Sequence, residues 1–208
     1  MLTCSRELTF VEGSIISGPE LLALAHGCPK LRTIRLPNAS KFGMESSCPR
    51  GESIDDTTID IFARALPEIQ IFTFGLENRS ALTHQAIISL ARHCPELRYF
   101  HITANISIPD LIQGLKEVEK EIEAAPLPSV EYMSYYHDKN IHNIYGNICS
   151  HAYQLARLAP QLRVFDITDG SEDDKEFHLQ FHSVISREEI RSKGICGFPP
   201  VAIYRSWQ

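Results

Sequence analysis

One nine-residue pattern returns five times along the chain. Cys28-Pro29-Lys30-Leu31-Arg32-Thr33-Ile34-Arg35-Leu36 recurs as Cys94-Pro95-Glu96-Leu97-Arg98-Tyr99-Phe100-His101-Ile102 and again as Ala159-Pro160-Gln161-Leu162-Arg163-Val164-Phe165-Asp166-Ile167. Two looser copies run from Leu66 to Phe74 and from Leu127 to Tyr135. Their prolines stand at 29, 67, 95, 128 and 160, at intervals of 38, 28, 33 and 32 residues. Periods of this length mark a stack of similar units, each leaving an apolar side that only its neighbour can cover.

The contents of one unit follow from its periodicities. An amphipathic helix is expected before each proline, over Pro19 to Gly27, Thr57 to Leu66, Thr83 to Cys94, Pro109 to Ala124 and Asn143 to Ala159. Thr83 is a natural N-cap and Pro109 a natural early helical residue. In the fourth helix Leu111, Leu115, Val118 and Ile122 form one apolar stripe, opposite Glu117, Lys120, Glu121 and Glu123. The proline cannot continue the helix. A short strand follows, apolar at positions one, four and six of an L-x-x-L-x-L pattern, so the period changes from 3.6 to 2.

The helix, the Cys/Ala/Leu-Pro-x-Leu/Ile/Val turn and the L-x-x-L-x-L strand together resemble the leucine-rich repeats of F-box proteins. The cysteine-containing subtype and the divergent fungal versions are most similar. The resemblance spans roughly Leu8 to Thr168. It implies an α/β leucine-rich-repeat solenoid, ribonuclease-inhibitor-like, of about five repeats, with parallel strands on the concave side and helices outside. It also implies a module that holds substrates for ubiquitin ligases. An F-box would precede the repeats, but Met1 opens almost directly onto a partial strand, Leu8-Thr9-Phe10. The expectation is a recognition module lacking an F-box, meeting ubiquitin-ligase components only where such a segment precedes this chain.

Other segments depart from the repeat. Lys41 to Asp56 is polar and contains glycine, which accounts for the longest interval and reads as an exposed loop. Gly170 to Lys175 reads as an acidic loop. Beyond it Phe177, Leu179 and Phe181 alternate with His178, Gln180 and His182, which favours a strand. Ser186 to Gly194 reads as a short helix and Val201 to Trp207 as a final strand. Residues 1–170 are therefore expected to form the solenoid, and residues 171–208 a cap over its last edge.

Composition narrows the function. The 208 residues carry 20 Lys+Arg against 26 Asp+Glu, a formal net charge of −6, which disfavours a nucleic-acid partner. No apolar run approaches the ~20 residues needed to span a bilayer. The amino terminus lacks the features of a signal peptide. The cysteines at 4, 28, 48, 94, 149 and 196 form no C-x-x-C pair, and reduced thiols in the cytoplasm or nucleus are expected. The sequons at Asn38, Asn78 and Asn105 are then coincidental.

In the strand pattern the third and fifth positions point away from the core, so successive units build two rows. The third-position row is Thr33, Ile71, Tyr99, Tyr132 and Val164, and the fifth is Arg35, Thr73, His101, Ser134 and Asp166. Ile71, Tyr99 and Tyr132 form an apolar centre, with Arg35, Thr73, His101, Ser134 and Asp166 around it. An apolar anchor in a polar surround is how protein interfaces are built. A protein partner is therefore expected on this face.

No cofactor or metal is expected. His142 and His151 are nine residues apart and would face opposite sides of one helix, so with His137 and Cys149 they converge poorly. His151 aligns with Ile144, Ile148 and Leu155 and reads as a core histidine. His178 and His182 have the H-x-x-x-H spacing, but on a strand their rings would be about 13 Å apart. Cys28 and Cys94 share one repeat position, which points to packing rather than nucleophilic chemistry. Asp55-Asp56 and Asp173-Asp174 read as solvated turns. The competing expectations are a metal- or thiol-dependent enzyme using the His137–His182 region, and a degenerate fragment without a function of its own.

Overall fold

The computed structural model describes residues 6–10, 16–36, 54–75, 82–136, 148–168 and 172–192. Strands and helices alternate strictly. They are β1 (Glu7–Thr9), α1 (Gly18–Gly27), β2 (Thr33–Leu36), α2 (Asp56–Ala65), β3 (Ile71–Phe74) and α3 (His84–His93). After these come β4 (Tyr99–Thr103), α4 (Ile108–Ile122), β5 (Tyr132–Tyr136), α5 (Ile148–Leu158), β6 (Val164–Thr168) and α6 (Glu172–Ser192). The six strands form one sheet in chain order, β1 to β6, with every neighbouring pair parallel.

That order has a direct consequence. Right-handed crossovers that never reverse direction put every connecting helix on the same face of the sheet. Among the described residues no helix covers the second face, and the strand order has no switch point of the kind doubly wound sheets use for ligands. The core lies between helices and sheet. It holds Ile34, Leu36, Phe72, Phe74, Phe100, Ile102, Met133, Tyr135 and Phe165 from the strands, all fully buried. From the helix side, Phe62 of α2 meets Phe72 of β3 with ring centroids 5.5 Å apart.

The proline pattern earns its regularity through two hydrogen-bond motifs. Leu31 N–H donates to Cys28 O, Ile69 to Leu66, Leu97 to Cys94 and Leu162 to Ala159, at 3.0 or 3.1 Å. Each is a four-residue turn with proline second, where its fixed φ is already correct. The next carbonyl along then accepts two N–H groups from the following unit. Arg32 O takes Gln70 and Ile71, Gln70 O takes Arg98 and Tyr99, and Arg98 O takes Glu131 and Tyr132. Glu131 O takes Arg163 and Val164 in the same way. This clamp sets the strand register from one unit to the next.

Cys94 shows what the repeated cysteine position does. Its thiol donates to Ala63 O at 3.7 Å and Leu66 O at 3.6 Å, occupying carbonyls at the end of α2. Burial pushes that thiol up to about 12, so it stays protonated.

Several expectations are corrected. Asp55 and Asp56 are not a solvated turn. Asp55 caps α2 by accepting from Thr58 N and Thr58 Oγ1, each at 2.8 Å. Asp56 accepts from Thr83 N at 2.9 Å and Thr83 Oγ1 at 2.7 Å, joining the starts of α2 and α3. In α4, Ile122 is 42% exposed, and the buried stripe continues instead through Ile108 and Ile112.

The largest correction is at α6. The stretch from residue 172, read as an acidic loop and then a strand, is one helix of 21 residues. Phe177 and Phe181 lie one turn apart and pack on Phe165 with centroids 5.5 and 5.2 Å away, while Leu179 is 63% exposed. An i, i+4 pair with an exposed residue between them mimics alternation over so short a span. Residues 41–53 of the expected loop and Val201 to Trp207 lie outside the described residues, whereas Ile54 is buried. Among the described residues no helix is long and apolar enough to cross a membrane.

Candidate functional site

The uncovered face carries both rows in the expected order. Parallel register sets Thr33 opposite Ile71, Ile71 opposite Tyr99, Tyr99 opposite Tyr132, and Tyr132 opposite Val164. In the second row Arg35, Thr73, His101, Ser134 and Asp166 are likewise successive partners.

At the middle of the sheet Tyr99 and Tyr132 stack, with ring centroids 4.2 Å apart and planes inclined by only 6°. In-register parallel strands make this possible, because equivalent side chains leave the sheet at the same height about 4.8 Å apart. Ile71 continues the apolar surface on one side and Val164, 42% exposed, on the other. Tyr99 itself is 36% exposed. Even so, burial and the adjacent Tyr132 hydroxyl push its phenol up to about 12. Arg35 pulls the phenol down and Asp166 pushes it up, so both charges act on the same ring from opposite ends of the row.

The two rows are not equally accessible. Ser134 is only 1% exposed and Thr33 only 5%. Ser134 was expected on the binding surface, but its short side chain sits below its neighbours, and His101 Nδ1 lies 3.1 Å from its hydroxyl oxygen. His101, Ser134 and Asp166 name the residue types of a hydrolytic triad, yet the order is wrong. A triad needs the carboxylate behind the imidazole. Here strand order puts Asp166 on the far side of Ser134 from His101.

At the last strand α6 changes the surroundings. His178 and His182, expected far apart on a strand, stand with ring centroids 4.5 Å apart on the helix. His182 Nε2 lies 3.2 Å from Phe165 O. A carbonyl can only accept, so Nε2 carries the proton and covers a polar group of the edge strand. Burial lowers the His178 pKa, His182 lowers it further, and Asp166 opposes both. Among the described residues no three His, Cys, Asp or Glu side chains gather closely enough to hold a metal ion.

The remaining candidates that are described, Cys149 and His151, lie on α5. His151 is half-buried on α5, where burial and Lys116 lower its pKa, and Cys149 is exposed. His137 and His142 lie outside the described residues. The Tyr99–Tyr132 stack and the helical His178–His182 pair were invisible as contacts in the sequence. Only the equal phase of the repeats hinted at the first.

No protein-family model matches the chain. No curated protein matches it either. Among solved structures, actin-binding site 2 of leiomodin-1 is similar at 11% identity with a TM-score of 0.48, covering 84% of this chain and 92% of that one. So loose a likeness carries no information about function.

Proposed function

We propose that the protein is a leucine-rich-repeat recognition module that binds a protein partner on the uncovered face of its sheet. In such an array that face is the concave one. The observation behind this reading is the Tyr99–Tyr132 stack, a large aromatic surface at the centre of a face that no connecting helix covers. Aromatic side chains contribute most of the energy at many protein interfaces, and they do so best when central and ringed by polar groups. The resemblance of the repeats to those of F-box substrate receptors extends the proposal to substrate recognition for ubiquitin ligases in the cytoplasm or nucleus.

The test is affinity purification of the tagged chain from its native cells, beside a Tyr99→Ala/Tyr132→Ala variant, with mass spectrometry of the captured proteins. Partners held by the wild type and lost from a variant that still folds support recognition on this face. Identical sets of partners would move recognition elsewhere. Ligase subunits retained by both proteins would support the F-box kinship.

A further inference from the structure

The face that carries the stacked tyrosines is charged oppositely at its two ends. Arg35 lies on β2 and is exposed, and Asp166 lies on β6, both in the fifth-position row. No hydrogen bond or ion pair among the described residues engages either side chain, although both fields reach the Tyr99 phenol. Other charged groups lie near these two. Glu7, on the same face of β1, is held by an interaction of its own. Arg32, at the strand entrance, is paired with Glu68 at 3.0 Å. Arg98, Glu131 and Arg163 occupy successive strand entrances and alternate in sign along one margin. His178 faces Asp166 from α6, where burial and His182 lower its pKa.

Four strand spacings separate Arg35 from Asp166, a span of about 19 Å. An extended peptide rises about 3.3 Å per residue, so about six residues cover that distance. We infer that the occupant of this face is an extended peptide segment lying across the strands, with a carboxylate over Arg35, an aromatic or branched apolar residue against the Tyr99–Tyr132 stack, and a basic side chain over Asp166. The inference rests on the recognition reading above and adds the chemistry and polarity of the ligand. Charge complementarity fixes direction, because a reversed peptide would set like charges together at both ends.

A displayed library of random dodecapeptides selected on the immobilised full chain tests this. The enriched peptides should carry an acidic and a basic residue about six positions apart, with an apolar residue between. Arg35→Glu and Asp166→Lys should each weaken a selected peptide about tenfold or more. Arg35→Glu should regain binding when the peptide's acidic residue is changed to Lys. Arg35→Gln and Asp166→Asn, with thermal melts, show that any loss is not unfolding. Peptides that need Tyr99 but ignore both charge reversals would overturn the inference and leave recognition on the face intact. Peptides indifferent to Tyr99→Ala as well would overturn both. A library with no enriched sequence would rule out an extended peptide as the occupant.

Discussion

Asp56 holds Thr83 by two hydrogen bonds, its carboxylate accepting from the backbone N–H at 2.9 Å and from the hydroxyl at 2.7 Å. Thr83 is itself the N-cap of α3, its hydroxyl oxygen accepting from Gln85 N at 3.1 Å. One carboxylate at the start of α2 thus orients the cap of α3, across 27 residues of chain. Asp56→Ala should destabilise the fold by about 1–2 kcal/mol and Thr83→Ala by a similar amount. The double variant should cost clearly less than the sum, as residues of one network do. Urea titrations of all four proteins check this, and strict additivity would mean the bridge contributes nothing in solution.

Gly114 permits α4 to approach α3. A Cβ there would stand 2.1 Å from Ile88 Cδ1 and 2.9 Å from Cγ1. Ala would gain helix propensity of about 1 kcal/mol, so Gly114→Ala should come out destabilised by only about 1 kcal/mol once Ile88 shifts. Gly114→Val should cost about 3 kcal/mol. Ile88→Val removes Cδ1, and in that background the penalty of Gly114→Ala should shrink. Chemical denaturation measures it, and an unchanged penalty would show that Ile88 is not the obstacle.

The thiols should differ sharply in reactivity. With its pKa pushed up to about 12, Cys94 is almost wholly protonated at pH 8 and is buried as well. Cys149 is exposed. Iodoacetamide followed by peptide mapping should label Cys149 in the native protein and reach Cys94 only in denaturant. Rapid native labelling of Cys94 would contradict the packing role assigned to the repeated cysteine.

Stability should fall in mildly acidic solution. Burial lowers the pKa of His93, His151 and His178 below the ordinary 6.5, with Arg64, Lys116 and His182 respectively adding to it and Asp60 and Asp166 opposing. Below that value the unfolded chain takes up protons that the folded protein resists. Their contribution is complete above about pH 6.5 and declines as pH falls through the folded values. Asp55 and Asp60 are depressed, Asp55 mainly by Thr58 and Asp60, against its own burial, by Arg64, so their contribution is lost only at lower pH. Thermal melts should be level from pH 7 to 8 and fall from about pH 6.5 to 5. His178→Gln should flatten part of that slope. A melting temperature that rises on acidification would refute the assignment.

The array was legible because proline and leucine report backbone geometry directly. Pro29, Pro67, Pro95 and Pro160 each sit second in a hydrogen-bonded turn, and that turn sets the phase of the strand after it. Phase is enough to place Tyr99 beside Tyr132 and Arg35 beside Thr73. It gives no depth, which is why Ser134 was expected at the surface and lies below it. Outside the repeats the signal weakens. Phe177 and Phe181 fit both a strand and a helix, and only packing on Phe165 decides between them. Asp55 and Asp56 read as solvent-seeking because the sequence does not reveal that Thr58 and Thr83 come within reach.

The doubled hydrogen bonds at the strand entrances separate spacing along the chain from position on the sheet. Between Pro29 and Pro67 a unit is 38 residues long and between Pro67 and Pro95 only 28, yet Thr33, Ile71 and Tyr99 still stand side by side. The connecting segments can lengthen or shorten without sliding the face. Each rung is therefore written by one codon, distant in the gene from the codons of its neighbours, and natural selection can rewrite the row one character at a time.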